Sequence, residues 1–188
     1  MKLIFGTSSK WRRAVFDTLG IDYTVMAADI DEKAIRHNNP SELTLLIAKA
    51  KAEELLKQIS EPAILLTFDQ VVVCNGEILE KPENEEELRR FWKSYIDYQA
   101  ETVSAVVVTN TVTGKQVSGV DVAKTFFKDI SEEMLDELIK NDDMYTSCGG
   151  FMVEYPPTDP FIDRIEGEMD SIKGIPIKLT QELIEQVK

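Results

Sequence analysis

The spacing of apolar residues changes several times along the chain, and each change marks an element. Leu3–Phe5 is a short apolar run that reads as the start of a buried strand. Ser8 or Ser9 then caps a helix to about Leu19, with Val15, Thr18 and Leu19 on one face and Gly20 as its stop. Residues 21–27 alternate and predict a half-buried strand, and residues 28–40 form a polar loop. Pro40 suits the first turn of a helix to about Gln58, whose apolar stripe is Leu43, Leu46, Ile47, Ala50 and Leu55.

Residues 63–68 are continuously apolar, the signature of a strand covered on both faces. Asp69 comes directly after, where a parallel strand would end. Val71–Cys74 leads into Asn75-Gly76, a strong hairpin signal, and then into residues 77–82. Asn84 caps a helix with Glu85, Glu86 and Glu87 in its first turn, where negative charge is favourable. Residues 101–109 and 116–127 read as two long strands joined by a turn. Ser131 caps a helix over 132–141, residues 142–161 read as loop, and Pro176 opens a last helix. Strands alternate with helices early and a hairpin-linked pair comes later, which gives an α/β fold with a mixed sheet. Neither a repeat nor a low-complexity linker interrupts residues 1–188, so one domain is expected.

Composition narrows the partners. With 43% apolar and 29% charged residues the chain reads as globular. No apolar run reaches the length of a membrane span, and the N-terminus turns polar too quickly for a signal peptide. Two cysteines without a CxxC pair argue against a disulfide framework or structural zinc and fit a reducing cytoplasm. A net charge of −13 argues against long nucleic acid and anionic membranes. A small polyanion remains compatible if cations gather locally or a divalent metal assists.

Such a gathering lies at residues 6–13. Strand, small polar loop and helix is the arrangement in which backbone N–H groups and the helix dipole bind phosphate. Gly6 permits close approach, Thr7, Ser8 and Ser9 supply hydroxyls, and Arg12 and Arg13 present guanidinium forks. The bland alternative is a surface helix with an Arg13–Asp17 pair. The spacing is not that of a P-loop. Asp69 can hold a divalent cation or take a proton from water, or else serve as a turn residue, and Gln70 offers an amide beside it. Lys51 and Lys81 read by default as solvated cations. Asp29, Asp31 and Glu32 could supply a metal ligand. His37 is the only histidine and reads as a loop residue, which removes Ser-His-Asp and Cys-His mechanisms.

Taken together, these segments resemble the Maf family of nucleotide pyrophosphatases. The resemblance runs from residues 3–13 through 29–32, 48–56, 68–82 and 164–177, in matching order and spacing. Three positions are similar to the branch of bacterial 7-methylguanosine triphosphate pyrophosphatases. They are Trp11 within Ser9-Lys10-Trp11-Arg12-Arg13, Gln70 after Asp69, and Glu154 in Phe151-Met152-Val153-Glu154. Lys10, Phe68, Glu80, Met152 and Tyr155 depart from the family pattern.

The resemblance implies an inosine-triphosphatase-like (Maf/Ham1) fold, with two lobes around a central cleft. It also implies hydrolysis of a nucleoside triphosphate to the monophosphate and pyrophosphate with a divalent cation (Mg2+, Mn2+ or Co2+), and a homodimer. In that scheme Ser9, Arg12, Arg13, Lys51 and Lys81 surround the phosphates. Asp69 activates water, and Asp69 with Glu32 holds the metal. Trp11, Gln70 and Glu154 choose the base. Two other readings stay open: a dTTP/UTP-type pyrophosphatase, and a non-catalytic nucleotide-binding regulator of cell division.

Overall fold

The computed structural model describes residues 1–188. Its strands are β1 (Lys2–Gly6), β2 (Thr24–Val25), β3 (Ala63–Cys74), β4 (Glu77–Leu79), β5 (Ala100–Asn110), β6 (Gln116–Phe127) and β7 (Ile162–Glu166). Its helices are α1 (Lys10–Asp17), α2 (Pro40–Leu56), α3 (Glu85–Asp97), α4 (Glu132–Leu138), α5 (Asp142–Thr146), α6 (Met169–Ile172) and α7 (Ile177–Val187). The strands make one mixed seven-stranded sheet of order β2-β1-β3-β5-β6-β7, with β4 paired to β3. The expected α/β architecture with flanking helices is therefore present. No helix is long and apolar enough to cross a membrane.

Contacts divide the chain into two compact units. The first comprises Met1–Gln70, Ser104–Asp121 and Lys173–Lys188, the second Val71–Val103 and Val122–Ile172.

In the first unit β1 runs parallel to β2 and to β3, with Lys2 through Gly6 registered on Ala63 through Thr67. Both faces are covered. Phe5, Ile64, Leu66 and Phe68 pack with Phe16 of α1 and Leu183 and Val187 of α7. Ile4, Ala63 and Leu65 pack with Ala48, Ala52 and Leu55 of α2. Double coverage explains why β3 begins as an unbroken apolar run.

The predicted caps hold. Ser9 accepts from the Arg12 N–H, Asn84 from Glu87 and Ser131 from Met134, while Pro40 opens α2 behind an Asn39 cap.

Several expectations are corrected. The strand expected over 21–27 shrinks to Thr24–Val25, because only Ile4 and Phe5 of β1 pair with it. The stripe of α2 runs through Leu43, Thr44, Ile47, Ala48, Lys51, Ala52 and Leu55, and Leu46 is 42% exposed. In α1 the fully buried residue is Phe16, and Thr18 is exposed. The stretch 142–161 carries α5 and short 3-10 turns at Cys148–Gly150 and Pro156–Phe161. Above all, β3 does not stop before Asp69. Its parallel pairing ends at Thr67, and the strand then continues and takes β4 as an antiparallel partner.

In the second unit Asn75 and Gly76 adopt φ of 49° and 79°, the left-handed pair of a tight hairpin turn, and Val72, Val73 and Cys74 pair with Leu79, Ile78 and Glu77. Its core contains a cluster of aromatic rings. Phe127 lies 5.2 Å from Trp92, 5.3 Å from Tyr95 and 5.2 Å from Phe151 between ring centroids.

Packing is tight where β1 ends. A Cβ on Gly6 would meet Thr67 Cγ2 at 2.7 Å, Leu55 Cδ1 at 2.8 Å and the Leu66 carbonyl at 2.8 Å. One of these obstacles is backbone and does not rotate away. Gly6→Ala is therefore expected to destabilise the protein by about 1–3 kcal/mol through overpacking. Urea unfolding checks this, and an unchanged midpoint would mean that the contact between α2 and β1 is looser than described.

Candidate functional site

The site grows from the period of two elements. Along β3 the odd-numbered residues face α2, as Ala63 and Leu65 do, and this face carries Thr67 and Asp69 next. Thr67 Oγ1 donates to the Ala48 carbonyl at 2.8 Å. One helical turn onward, Lys51 Nζ donates to Asp69 Oδ1 at 2.8 Å and to the Phe68 carbonyl at 3.3 Å.

Lys51 is thus no solvated cation. It sits on the buried stripe of α2, with its side chain 11% exposed against 8% for Asp69. Glu32, on the 3-10 turn Glu32–Ala34, reaches the same ammonium at 3.1 Å and is half-exposed. Asp31 is used differently, as the cap of that turn.

Charge at this point is unevenly balanced. Burial pushes the Asp69 carboxyl above its ordinary range, while Lys51 and Arg12 pull it down and Glu32 adds a smaller upward push. The net direction is up. A carboxylate so held is a better proton acceptor than a free one, because its basicity lies closer to neutral pH.

The loop after β1 forms the second part. The Ser9 N–H donates to Thr7 Oγ1 at 3.1 Å, and Ser9 Oγ accepts from the Arg12 N–H at 3.3 Å. Arg12 Nε donates to the Gly174 carbonyl at 3.1 Å. Gly174 has φ of +88°, and a Cβ there would lie 2.9 Å from Arg12 Nε and 3.1 Å from Gln70 Oε1. Only glycine fits between these two side chains. Gln70 in turn donates to Ser104 Oγ at 3.2 Å. Neither Gly174, which lies within the resembling segment 164–177, nor Ser104 is singled out as a site residue by the sequence. The Lys173-Gly174 turn before Ile175-Pro176 is the available signal for the first, whereas nothing local marks Ser104.

Arg13 does not pair with Asp17. Asp17 instead accepts from the Tyr23 hydroxyl, and Arg13 Nε is buried without a hydrogen-bond partner. Trp11 is half-buried and stands outside both core clusters of this unit, with Lys10 Nζ 4.5 Å from its ring centre. His37 is exposed and bonds the backbone of Asn39.

The structure therefore brings together Asp69, Lys51 and Glu32, and connects Ser9, Arg12, Gly174 and Gln70. Lys81 and Glu154 belong to the second unit. Lys81 is exposed just beyond β4. Glu154 is half-buried and comes after three buried residues, Phe151, Met152 and Val153. No cluster of three or more His, Cys, Asp or Glu side chains exists to cage a metal alone. The carboxylates of Asp69 and Glu32, gathered on one ammonium, are hard oxygen donors of the kind that hold a cation jointly with phosphate oxygens.

Comparison with known proteins adds an independent line. A family model described as Maf-like protein matches residues 2–187. A Dictyostelium discoideum protein named 7-methyl-GTP pyrophosphatase is 46% identical over 192 residues, covering 98% of this chain and 96% of its own length. An Idiomarina loihiensis protein of the same name is 32% identical over 177 residues, covering 94% and 89%. A Treponema denticola dTTP/UTP pyrophosphatase is 27% identical over 198 residues, covering 100% and 97%.

The buried pair generates a test. Lys51→Met keeps the apolar stem but leaves Asp69 without its ammonium. Breaking one side of a buried pair costs about 3–5 kcal/mol, a loss to be read in denaturant. Removing the pull of Lys51 also moves the Asp69 carboxyl further up. An acidic limb in activity that stays where it was in the wild type would detach Asp69 from that limb.

Proposed function

This chain belongs to the Maf family, and from that premise we propose that it hydrolyses nucleoside triphosphates to the monophosphate and pyrophosphate, with 7-methylguanosine triphosphate or a similarly modified nucleotide as substrate. The observation that carries the proposal is the buried Asp69–Lys51 pair, in a chain 46% identical to a relative named for that activity. The proposal extends to a single pyrophosphatase domain over residues 1–188. It further includes two lobes around a central cleft in the inosine-triphosphatase-like manner, a homodimer, and a cytoplasmic location.

In this reading Asp69 takes a proton from the water that attacks the α-phosphorus. The raised basicity of this carboxylate suits the task, and Lys51 keeps it oriented and ionised. Arg12 spends its Nε–H on the Gly174 carbonyl, which aims the remaining fork at phosphate oxygens. Ser9, Arg13 and Lys81 complete the phosphate contacts. The cations at the start of α1, unfavourable against the positive end of a helix, are then compensated by the substrate's own charge. Asp69 and Glu32 would hold a divalent cation (Mg2+, Mn2+ or Co2+), which when bound neutralises phosphate charge.

Base choice rests on chemistry. N7-methylation makes guanine cationic, and the half-buried face of Trp11 attracts a cation. Guanine presents two adjacent N–H donors, and the carboxylate of Glu154 accepts both where an amide accepts one. Gln70, held by its hydrogen bond to Ser104, is the third residue assigned to base choice. Glu154 and the lower identity of the dTTP/UTP-named relative weigh against a pyrimidine substrate.

A panel of triphosphates with each metal, read by pyrophosphate release, tests the proposal. No turnover of any of them would leave the non-catalytic regulator instead. Asp69→Asn is expected to abolish turnover while the protein stays folded, since an amide takes no proton. In the wild type, the acidic limb of kcat/KM should lie above the ordinary Asp value of about 3.9, because the ionised form is required and burial raises the group. Glu154→Gln is expected to lower kcat/KM for 7-methylguanosine triphosphate roughly ten- to hundredfold, the scale of an unpaired buried polar group. Uridine triphosphate should be turned over as well or better. Equal losses on both substrates would remove Glu154 from base selection.

A further inference from the structure

The second unit holds two consecutive glycines in left-handed conformations, Gly149 at φ +69° and Gly150 at φ +65°. Their backbone groups are bound from the core. The Tyr95 hydroxyl donates to the Gly149 carbonyl at 2.7 Å, and Trp92 Nε1 donates to the Gly150 carbonyl at 2.9 Å. On the other side, the Gly149 N–H donates to the Glu80 carbonyl at 2.9 Å. Tyr95 and Trp92 are each 1% exposed, on one face of α3. Burial keeps the Tyr95 phenol protonated, so it is a fixed donor.

A side chain on either glycine would strike this bracket. A Cβ on Gly149 would meet the Tyr95 hydroxyl at 2.7 Å and Val72 Cβ at 2.8 Å, and one on Gly150 would collide with Leu88. The next residues along the chain are equally constrained. Phe151 sets its ring edgewise against Tyr95 at 5.6 Å. Met152 and Val153 are buried, and the Tyr155 N–H closes a turn on the Met152 carbonyl at 3.3 Å. Glu154 stands inside that turn. A five-residue path of buried backbone therefore leads from the two aromatic donors to one half-exposed carboxylate.

We infer that Tyr95 and Trp92 are positioning residues for substrate selection, because their hydrogen bonds to Gly149 and Gly150 fix the segment that presents Glu154. The same bracket reaches the Glu80 carbonyl and so ties the Lys81 segment to the Glu154 segment. The inference rests on the reading of Glu154 as the base-selecting residue.

A double-mutant cycle tests it. Tyr95→Phe keeps the ring and removes one donor. Its ratio of kcat/KM for 7-methylguanosine triphosphate over uridine triphosphate should fall roughly three- to tenfold, the scale of one neutral hydrogen bond. In a Glu154→Gln background the same change should leave the ratio where that variant already has it, because the residue acts through Glu154. An unchanged ratio in Tyr95→Phe, or an equal fall in both backgrounds, would overturn the inference. Trp92→Phe runs the same cycle if Tyr95→Phe does not fold. A readout independent of turnover is hydrogen exchange over residues 151–155, which should quicken in Tyr95→Phe. Unchanged exchange there would also overturn the inference. Absence of turnover by the wild type would instead overturn the proposed function and leave exchange to decide the bracket.

Discussion

An ammonium and a carboxylate buried against each other fix how closely a helix must approach a strand. Lys51 and Asp69 meet at 2.8 Å with little water on either. Burying both charges costs more than their attraction returns unless the geometry is held by its surroundings. Small residues supply that closeness. Ala48 and Ala52 are fully buried on α2 against β3, and Gly6 leaves room for Leu55 on the neighbouring strand. The Thr67 hydroxyl on the Ala48 carbonyl adds a hydrogen bond one turn before the pair. Stability is surrendered at Asp69 for a carboxylate of raised basicity, and the packing around it makes good the loss.

The elements are largely legible in the sequence because their signals are local. The caps at Ser9, Asn84 and Ser131, the Asn75-Gly76 turn and the apolar run of β3 each depend on neighbours a few residues away. Lys51 is misleading because a lysine reads as solvated unless its helical phase is followed. Thr44, Ile47, Ala48, Ala52 and Leu55 place position 51 on the buried stripe, so that signal is present and outweighed by residue type. Asp69 misleads in the opposite sense. A charged residue after an apolar run looks like a strand end, yet β3 continues because β4 replaces β1 as its partner. Long-range pairings such as Arg12 with Gly174 and Gln70 with Ser104 are created by the fold, and for Ser104 nothing local marks the position.

The candidate residues divide by chemistry between the two units. Ser9, Arg12, Arg13, Lys51 and Asp69, which the proposed function assigns to phosphate and water, belong to the first, along with Trp11 and Gln70. Lys81 and Glu154 belong to the second, whose core includes a cluster of aromatic rings. Rings that carry a polar handle can bind backbone carbonyls from inside a core, which aliphatic side chains cannot do. Such a core suits a segment whose backbone must be held in left-handed turns.

The same geometry accounts for the five departures from the family pattern. Phe68 points its ring to the opposite face of β3 from Asp69 and packs on Phe5 at 5.1 Å between ring centroids, so the large side chain strengthens the core while only its carbonyl meets Lys51. Glu80 contributes its backbone carbonyl to Gly149, a role that any residue can fill. Met152 is buried between Phe151 and Val153, and Tyr155 closes the Glu154 turn through its N–H, again a backbone role. Lys10 alone stands beside a candidate side chain, with its ammonium over the Trp11 ring. A cation already resting on that face competes with a cationic base for the same π surface. Of the five departures, Lys10 is therefore the one whose side chain touches a residue that the proposed function assigns to base choice.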